Sequence, residues 1–325
     1  MIKLLRANFS RLFRSLYFRL GMIISVLLNM VAIFNTYYAM KKFPEEFDLS
    51  GIPDVSADDV EYLSILISNE SCMFNGGIFC MFIVPALIAF FIGTDYSDGT
   101  IRNKLMVGHK RSSIYLANLI TSISAAEIVL LSGMAASYLT GLIFLKNTYL
   151  SAGEIFMFII VGIFITASMS SICTLLSMVI PSKAGAVAAA VMTSFVMMVS
   201  VGSITSELES PEVYDEYTYE HQDTGEVFDL DCPPDEMSPD ELHSNGIMVS
   251  DIDKLEPIQA ENPGYPKGLR RRIYVWIQKA TPGCQYISLS EWDEDFNKSS
   301  VGWSSVFVAV TASAGIVVFR KRDLK

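Results

Sequence analysis

No Gly-x-x-x-x-Gly-Lys-Ser/Thr string occurs in this sequence. The glycine-rich cradle and lysine that hold nucleotide phosphates are therefore missing, and the chain alone has no means of binding and splitting ATP by that route. Histidine is scarce: His109, His221 and His243 all fall in polar connecting segments. No His-Glu-x-x-His element and no Ser/His/Asp set is present that would make an intramembrane enzyme attractive, so an enzymatic reading is weak and none is expected. The five cysteines show no zinc-like Cys/His spacing. Asp229, Asp231, Asp235 and Asp240 lie near one another in sequence, but the turn glycine and terminal glutamate of a calcium loop are lacking, and a solvated acidic loop is the simpler reading. A net charge of −11 gives no basic footprint for a nucleic acid. The expectation is a chain with no cofactor or metal of its own.

What the sequence does hold is apolar residues, 51% of the total, gathered in long runs. A bilayer core of about 30 Å needs roughly 20 consecutive apolar residues in a helix. Six segments meet that requirement, at 17–40, 73–92, 114–145, 155–180, 184–204 and 301–319. The first follows basic residues as a secretory signal would, but it is too long and has no small-residue cleavage pattern, so it reads as a retained anchor.

With the N-terminus placed inside, the inner segments hold 14 of the 24 Lys/Arg and 3 of the 35 Asp/Glu. That asymmetry fits the positive-inside rule. Lys3, Arg6, Arg11, Arg14 and Arg19, then Arg102, Lys104, Lys110 and Arg111, then Arg320, Lys321, Arg322 and Lys325 carry it. Both termini are expected on the cytoplasmic side of a cell membrane. The fold class expected is an all-α integral membrane protein of six transmembrane helices, with an N-terminal amphipathic helix and a large extracellular loop before the last span.

Residues 1–16 place Ile2, Leu5, Phe9, Leu12 and Leu16 at three- and four-residue spacing among basic side chains, the pattern of a helix lying on the membrane surface. The third apolar run, 32 residues long, overshoots the hydrocarbon core and must tilt, bend or begin outside it. Gly133 and Gly141 are places for a bend or for close helix packing. Pro181, Ser182 and Lys183 join the fourth and fifth spans in a tight hairpin. Spans one to five occupy 17–204. The segment 205–300 breaks the pattern, with eight of the twelve prolines and 22 acidic residues against 7 basic. Its first part, to about 266, reads as a flexible or loosely folded acidic loop. Its second part puts Ile273, Trp276, Ile277 and Ala280 on one helical face before Pro282-Gly283, an amphipathic hairpin on or in the outer leaflet. The last span and a basic tail complete the chain at 301–325.

The inner loop at 93–113 is the informative one. It reads Gly93-Thr-Asp-Tyr-Ser-Asp-Gly-Thr-Ile-Arg-Asn-Lys-Leu-Met-Val-Gly-His-Lys-Arg111, a short charged helix bracketed by Gly99 and Gly108. By its physical features alone it also fits an ordinary positive-inside loop. Its acidic-aromatic pair followed by Gly-Thr-hydrophobic-Arg-x-x-Leu closely resembles the inner loop of type-2 ABC transporter permeases. Asp95, Tyr96, Gly99, Thr100, Ile101, Arg102, Lys104 and Leu105 carry the match, with Gly108 and Arg111 following. The resemblance implies that this loop is a coupling helix docking in a cleft of a separate ATPase subunit, which binds ATP and Mg. It further implies a bacterial exporter in which a second permease copy or a paralogue completes the membrane path. The long acidic insert departs from the family's minimal plan.

Glu127 is the one ionisable side chain deep in a span, where a carboxylate costs a few kcal/mol. It is a candidate for the substrate path or for gating; the alternative is a structural bond to Ser122, Ser124 or a neighbouring helix. Cys232 and Cys284 are a candidate disulfide, or two free thiols. The competing function is a non-transporting membrane sensor or assembly protein that binds a ligand through its acidic outer loop.

Overall fold

In a bilayer core the backbone must satisfy its own hydrogen bonds, and coiling into helices does so within each segment. The computed structural model describes residues 1–42, 69–145, 150–210, 212–221, 227–230, 255–261, 264–290 and 294–322, with isolated positions between 225 and 252. The first unit, Met1–Gly202 with Trp276–Lys325, is helical. Helix α1 (Ile2–Arg14) leads into α2 (Leu16–Lys42), followed by α3 (Asn69–Ser97), a short α4 (Thr100–Met106), α5 (Arg111–Phe144), α6 (Ala152–Val179) and α7 (Lys183–Glu209). After the second unit come α8 (Gly268–Ala280), α9 (Pro282–Ser290) and α10 (Glu294–Lys321). Six of these, α2, α3, α5, α6, α7 and α10, contain stretches long and apolar enough to cross a membrane, matching the six runs in the sequence.

Local chemistry sets the helix boundaries. Ser151 and Glu154 form a reciprocal cap at the start of α6, with the Ser151 amide donating to Glu154 Oε2 at 2.8 Å. Pro181 ends the same helix by forcing Ile180 into extended backbone. Ser182 Oγ then accepts from the Gly185 amide at 3.1 Å at the start of α7.

Helix α5 runs through the middle, packing on α1, α2, α3, α6 and α10. It is one uninterrupted helix of 34 residues, about 51 Å long. Gly133 and Gly141 are packing contacts along it. A Cβ at Gly133 would lie 2.6 Å from Ser25 Oγ and 2.9 Å from Asn29 Nδ2, and one at Gly141 would collide with Asn69. The close approach lets Asn29 bridge the helices: Ser137 Oγ donates to its Oδ1 at 2.8 Å, and its Nδ2 donates to the Ser25 carbonyl at 2.8 Å.

Of the hairpin before the last span, the first helix stays at the surface and the second is buried. Helix α8 keeps Leu269, Ile273 and Trp276 exposed, and Trp276 meets Trp303 edge to face at 5.8 Å. Helix α9 packs among α3, α6 and α10, burying Cys284, Gln285, Tyr286 and Leu289. Its polar groups find partners there: Tyr286 bonds to Thr166, and Ser304 donates to Gln285 Oε1 at 2.8 Å. Helix α7 buries a narrow face of Ala186, Ala190, Ser194 and Val201, while Met192, Phe195, Val196 and Val199 are more than half exposed.

The second unit, Ser203–Val275, corrects the expectation of a loosely folded loop. Strands β1 (Val213–His221), β2 (Val227–Asp229) and β3 (Leu255–Glu261) form an antiparallel sheet in the order β2-β1-β3. Leu230, Leu242, Ile247 and Leu255 form its small core. The all-α expectation holds for the spanning part of the chain. Averaging acidity over the whole insert concealed a local run, Val213-Tyr-Asp-Glu-Tyr-Thr-Tyr219, rich in residues that favour strands.

Candidate functional site

Two glycines with positive φ isolate α4 from the helices on either side, Gly99 at 67° and Gly108 at 89°. At Gly108 the chain closes on itself, with the Gly108 amide bonding to the Leu105 carbonyl and the His109 amide to the Lys104 carbonyl, the left-handed cap that ends a helix. The result is a seven-residue helix hung between two spans.

Asp95 anchors it. Its side chain is wholly buried, and it pairs with Arg11 from α1 and with Lys104 Nζ at 3.1 Å from α4. Lys104 Nζ also donates to Asn8 Oδ1 at 3.0 Å, and Asn8 Nδ2 donates to Asn118 Oδ1 on α5 at 2.8 Å. Arg11 lies over the Phe91 ring, 4.2 Å from its centre. One connected polar network thus ties α1, α3, α4 and α5 together. Burial lowers Lys104 from 10.5 to about 8, and the nearby Arg11 charge pushes the same way. Burial also lowers Arg11 to about 10, against the attraction of Asp98, so both remain cationic at neutral pH.

Tyr96 begins a second network. Its hydroxyl donates to the Met178 carbonyl at 2.6 Å in the last turn of α6. Arg322, just past α10, donates to the Tyr96 hydroxyl at 3.1 Å and to the same carbonyl at 2.6 Å. Arg111 donates to the carbonyls of Phe319, Arg320 and Arg322, capping the end of α10.

The loop residues singled out in the sequence therefore divide. Asp95 and Ile101 are buried, and Tyr96, Lys104, Leu105 and Arg111 are half-buried against the protein. Gly99 and Thr100 are intermediate, and Arg102 is exposed. The outer surface of α4 is completed by Asn103, Met106 and Val107, the last two 76% exposed. Sequence reasoning passed over Met106 and Val107, although two large apolar residues before a cap glycine in a charged loop were a readable signal. It also missed Asn8, whose place between Leu4 and Leu12 on the buried stripe of α1 was a hint. Of the expected apolar positions of α1, Leu12 is buried and Leu5 and Phe9 pack against the core, while Ile2 is 83% exposed and Leu16, at the start of α2, 59%.

Glu127 is half-buried on α5, with both carboxylate oxygens shut off from solvent and without a hydrogen-bond partner among the described residues. It makes no bond to Ser122 or Ser124. An apolar cavity of about 460 Å³ opens between α3, α5 and α6, lined by residues including Met134, Tyr138 and Phe156, and Glu127 is not among them. Cys284 is a buried free thiol that accepts a hydrogen bond from Thr281 at 3.4 Å. Its candidate disulfide partner Cys232 lies outside the described residues, as do Asp231, Asp235 and Asp240. Among the described residues no three His, Cys, Asp or Glu side chains gather as a metal site. No protein-family model matches the chain, and no curated protein matches it.

Proposed function

We propose that the chain is the transmembrane permease subunit of an ATP-driven ABC transporter, an exporter in a bacterial cell membrane whose ATPase is a separate polypeptide. The observation that carries this reading is α4, a short helix braced from behind by buried ion pairs and presenting Arg102, Met106 and Val107 outward. A surface helix held this way transmits force. A push on its exposed side passes through Lys104 and Asp95 to α1 and α3, and through the Asn8–Asn118 bond to α5. Flexible linkage would absorb the same push.

The N-terminal basic residues, the α4 loop and the basic tail gather at one end of the bundle, which in this reading is cytoplasmic. The ATPase subunits bind ATP and Mg there, and their closure on ATP rearranges the spans through α4. A second permease copy or a paralogue shares the path, and the exposed apolar side of α7 is one surface for it or for lipid.

The test is co-expression with a P-loop ATPase that lacks membrane spans and is encoded in an adjacent reading frame. Co-purification with ATPase activity that depends on α4 supports the proposal; an intact, fully coupled complex after Arg102→Glu and Leu105→Asp contradicts it. One observation favours a second reading. The 203–275 unit has its own sheet and core, as a ligand-binding sensor module would. That reading requires no ATPase, so a purified complex with one decides between the two.

A further inference from the structure

Where α5 begins and α10 ends, the molecule leaves a cavity of about 480 Å³ lined by Lys110, Arg111, Ser112 and Arg320. Three of the four side chains are cationic and none is acidic. Arg111 is held in place by the carbonyls at the end of α10. Lys110 and Arg320 are exposed and form no ion pair with any described residue. No side chain caps the start of α5, so the first amides of that helix add donors beside the cations. Cations gathered around one space repel each other unless an anion lies between them.

Both contributing segments are the ends of helices long and apolar enough to cross a membrane. The cavity thus lies between the ends of two such helices, and basic pockets between span ends take anionic headgroups. Several donors converging from two helices suit an anion with several oxygens better than a lone carboxylate.

We propose that this cavity binds the phosphate of an anionic membrane lipid, with Lys110 and Arg320 as its charged contacts, the Ser112 hydroxyl as a further donor, and Arg111 bracing the two helix ends. The proposal rests on the chain spanning a bilayer and is independent of the permease reading.

The experiment uses the full-length protein in a neutral detergent, titrated with phosphatidylglycerol, phosphatidylcholine or inorganic phosphate, with bound lipid counted by native mass spectrometry and Tm followed in parallel. The wild type is expected to retain phosphatidylglycerol at least tenfold over phosphatidylcholine, and inorganic phosphate is expected to compete for it. Lys110→Gln/Arg320→Gln should lose that preference while keeping its Tm in neutral detergent, and Lys110→Gln alone should lose part of it. Lys3→Gln/Arg6→Gln removes as much charge from exposed positions on α1 and should keep the preference. Unchanged retention in the Lys110/Arg320 variant overturns the site. Equal loss in the α1 variant overturns it in favour of diffuse attraction, and a rise in Tm with inorganic phosphate but no retained phosphatidylglycerol overturns the lipid as carrier.

Discussion

The Lys104 ammonium lies 3.1 Å from the wholly buried carboxylate of Asp95, which Arg11 of α1 also engages, so two cations from different helices share one counter-charge. Removing one member of a buried ionic set leaves the others desolvated without compensation, at a cost of about 3 kcal/mol or more. Asp95→Asn is therefore expected to lower stability by about 3 kcal/mol in a denaturation series. Amide exchange across 2–14 should accelerate with it, since α1 loses its ion-pair anchor. Asp98→Asn, at an exposed position, should stay within about 0.5 kcal/mol of the wild type. Equal effects from the two would remove Asp95 from its anchoring role.

Lys104 should titrate early. Burial and Arg11 bring it to about 8 from 10.5, so below pH 8 it is charged and paired, and above that it loses its proton before an exposed lysine does. Between pH 8 and 10.5 an unfolded chain binds the proton that the folded one has released, so this group's penalty on folding is relieved as the pH rises through that window. NMR of isotopically methylated lysines reads the midpoint directly. Asp95→Asn removes the attraction that favours the charged form and should move the midpoint below 8. A wild-type midpoint near 10.5 would contradict the burial of this amine.

The six spans were legible because apolar length is a property of a segment by itself, and each run became a helix within a few residues of its expected ends. The brace behind α4 was not legible, because its bonds, Arg11 to Asp95 and Asn8 to Asn118, join residues far apart in sequence that meet only once α1 packs against the bundle. The loop motif drew attention to the right residues but not to their directions. Asp95 and Lys104 turned inward, whereas Met106 and Val107, outside the motif, turned outward. The small sheet was hidden for the opposite reason, a composition averaged over too long a window.

If α4 docks a partner, its exposed apolar pair should carry binding without carrying the fold. Met106 and Val107 are each 76% exposed, so Met106→Asp and Val107→Asp are expected to change Tm little. A desolvated hot spot contributes about 2 kcal/mol or more, so each substitution should weaken association with the ATPase at least tenfold in a co-purification titration. Undiminished association in the double variant would place the contact elsewhere.

Gly133 tests the packing of α2 on α5. Any side chain there meets Ser25 and Asn29, and these also bond to Val129 and Ser137. Gly133→Ala should cost about 1–3 kcal/mol through overpacking, more than offsetting the gain in helix propensity. Gly202→Ala, where a Cβ meets nothing within 4 Å, is the control and should be neutral or stabilising. If the two variants unfold alike, the close approach at Gly133 is not a constraint.

Glu127 separates a structural role from a functional one because its carboxylate makes no hydrogen bond to any described residue that a substitution could break. A structural carboxylate would lose stability on neutralisation. An unpartnered one loses nothing of that kind, so Glu127→Gln should leave stability within about 1 kcal/mol or raise it. A gating or path role predicts a second effect, a fall of at least tenfold in substrate-stimulated ATPase and transport by the assembled complex, with its basal ATPase retained. Both measurements are needed. A stable variant with unchanged transport dismisses the path role, and an unstable one shows that Glu127 has a partner in the folded protein after all.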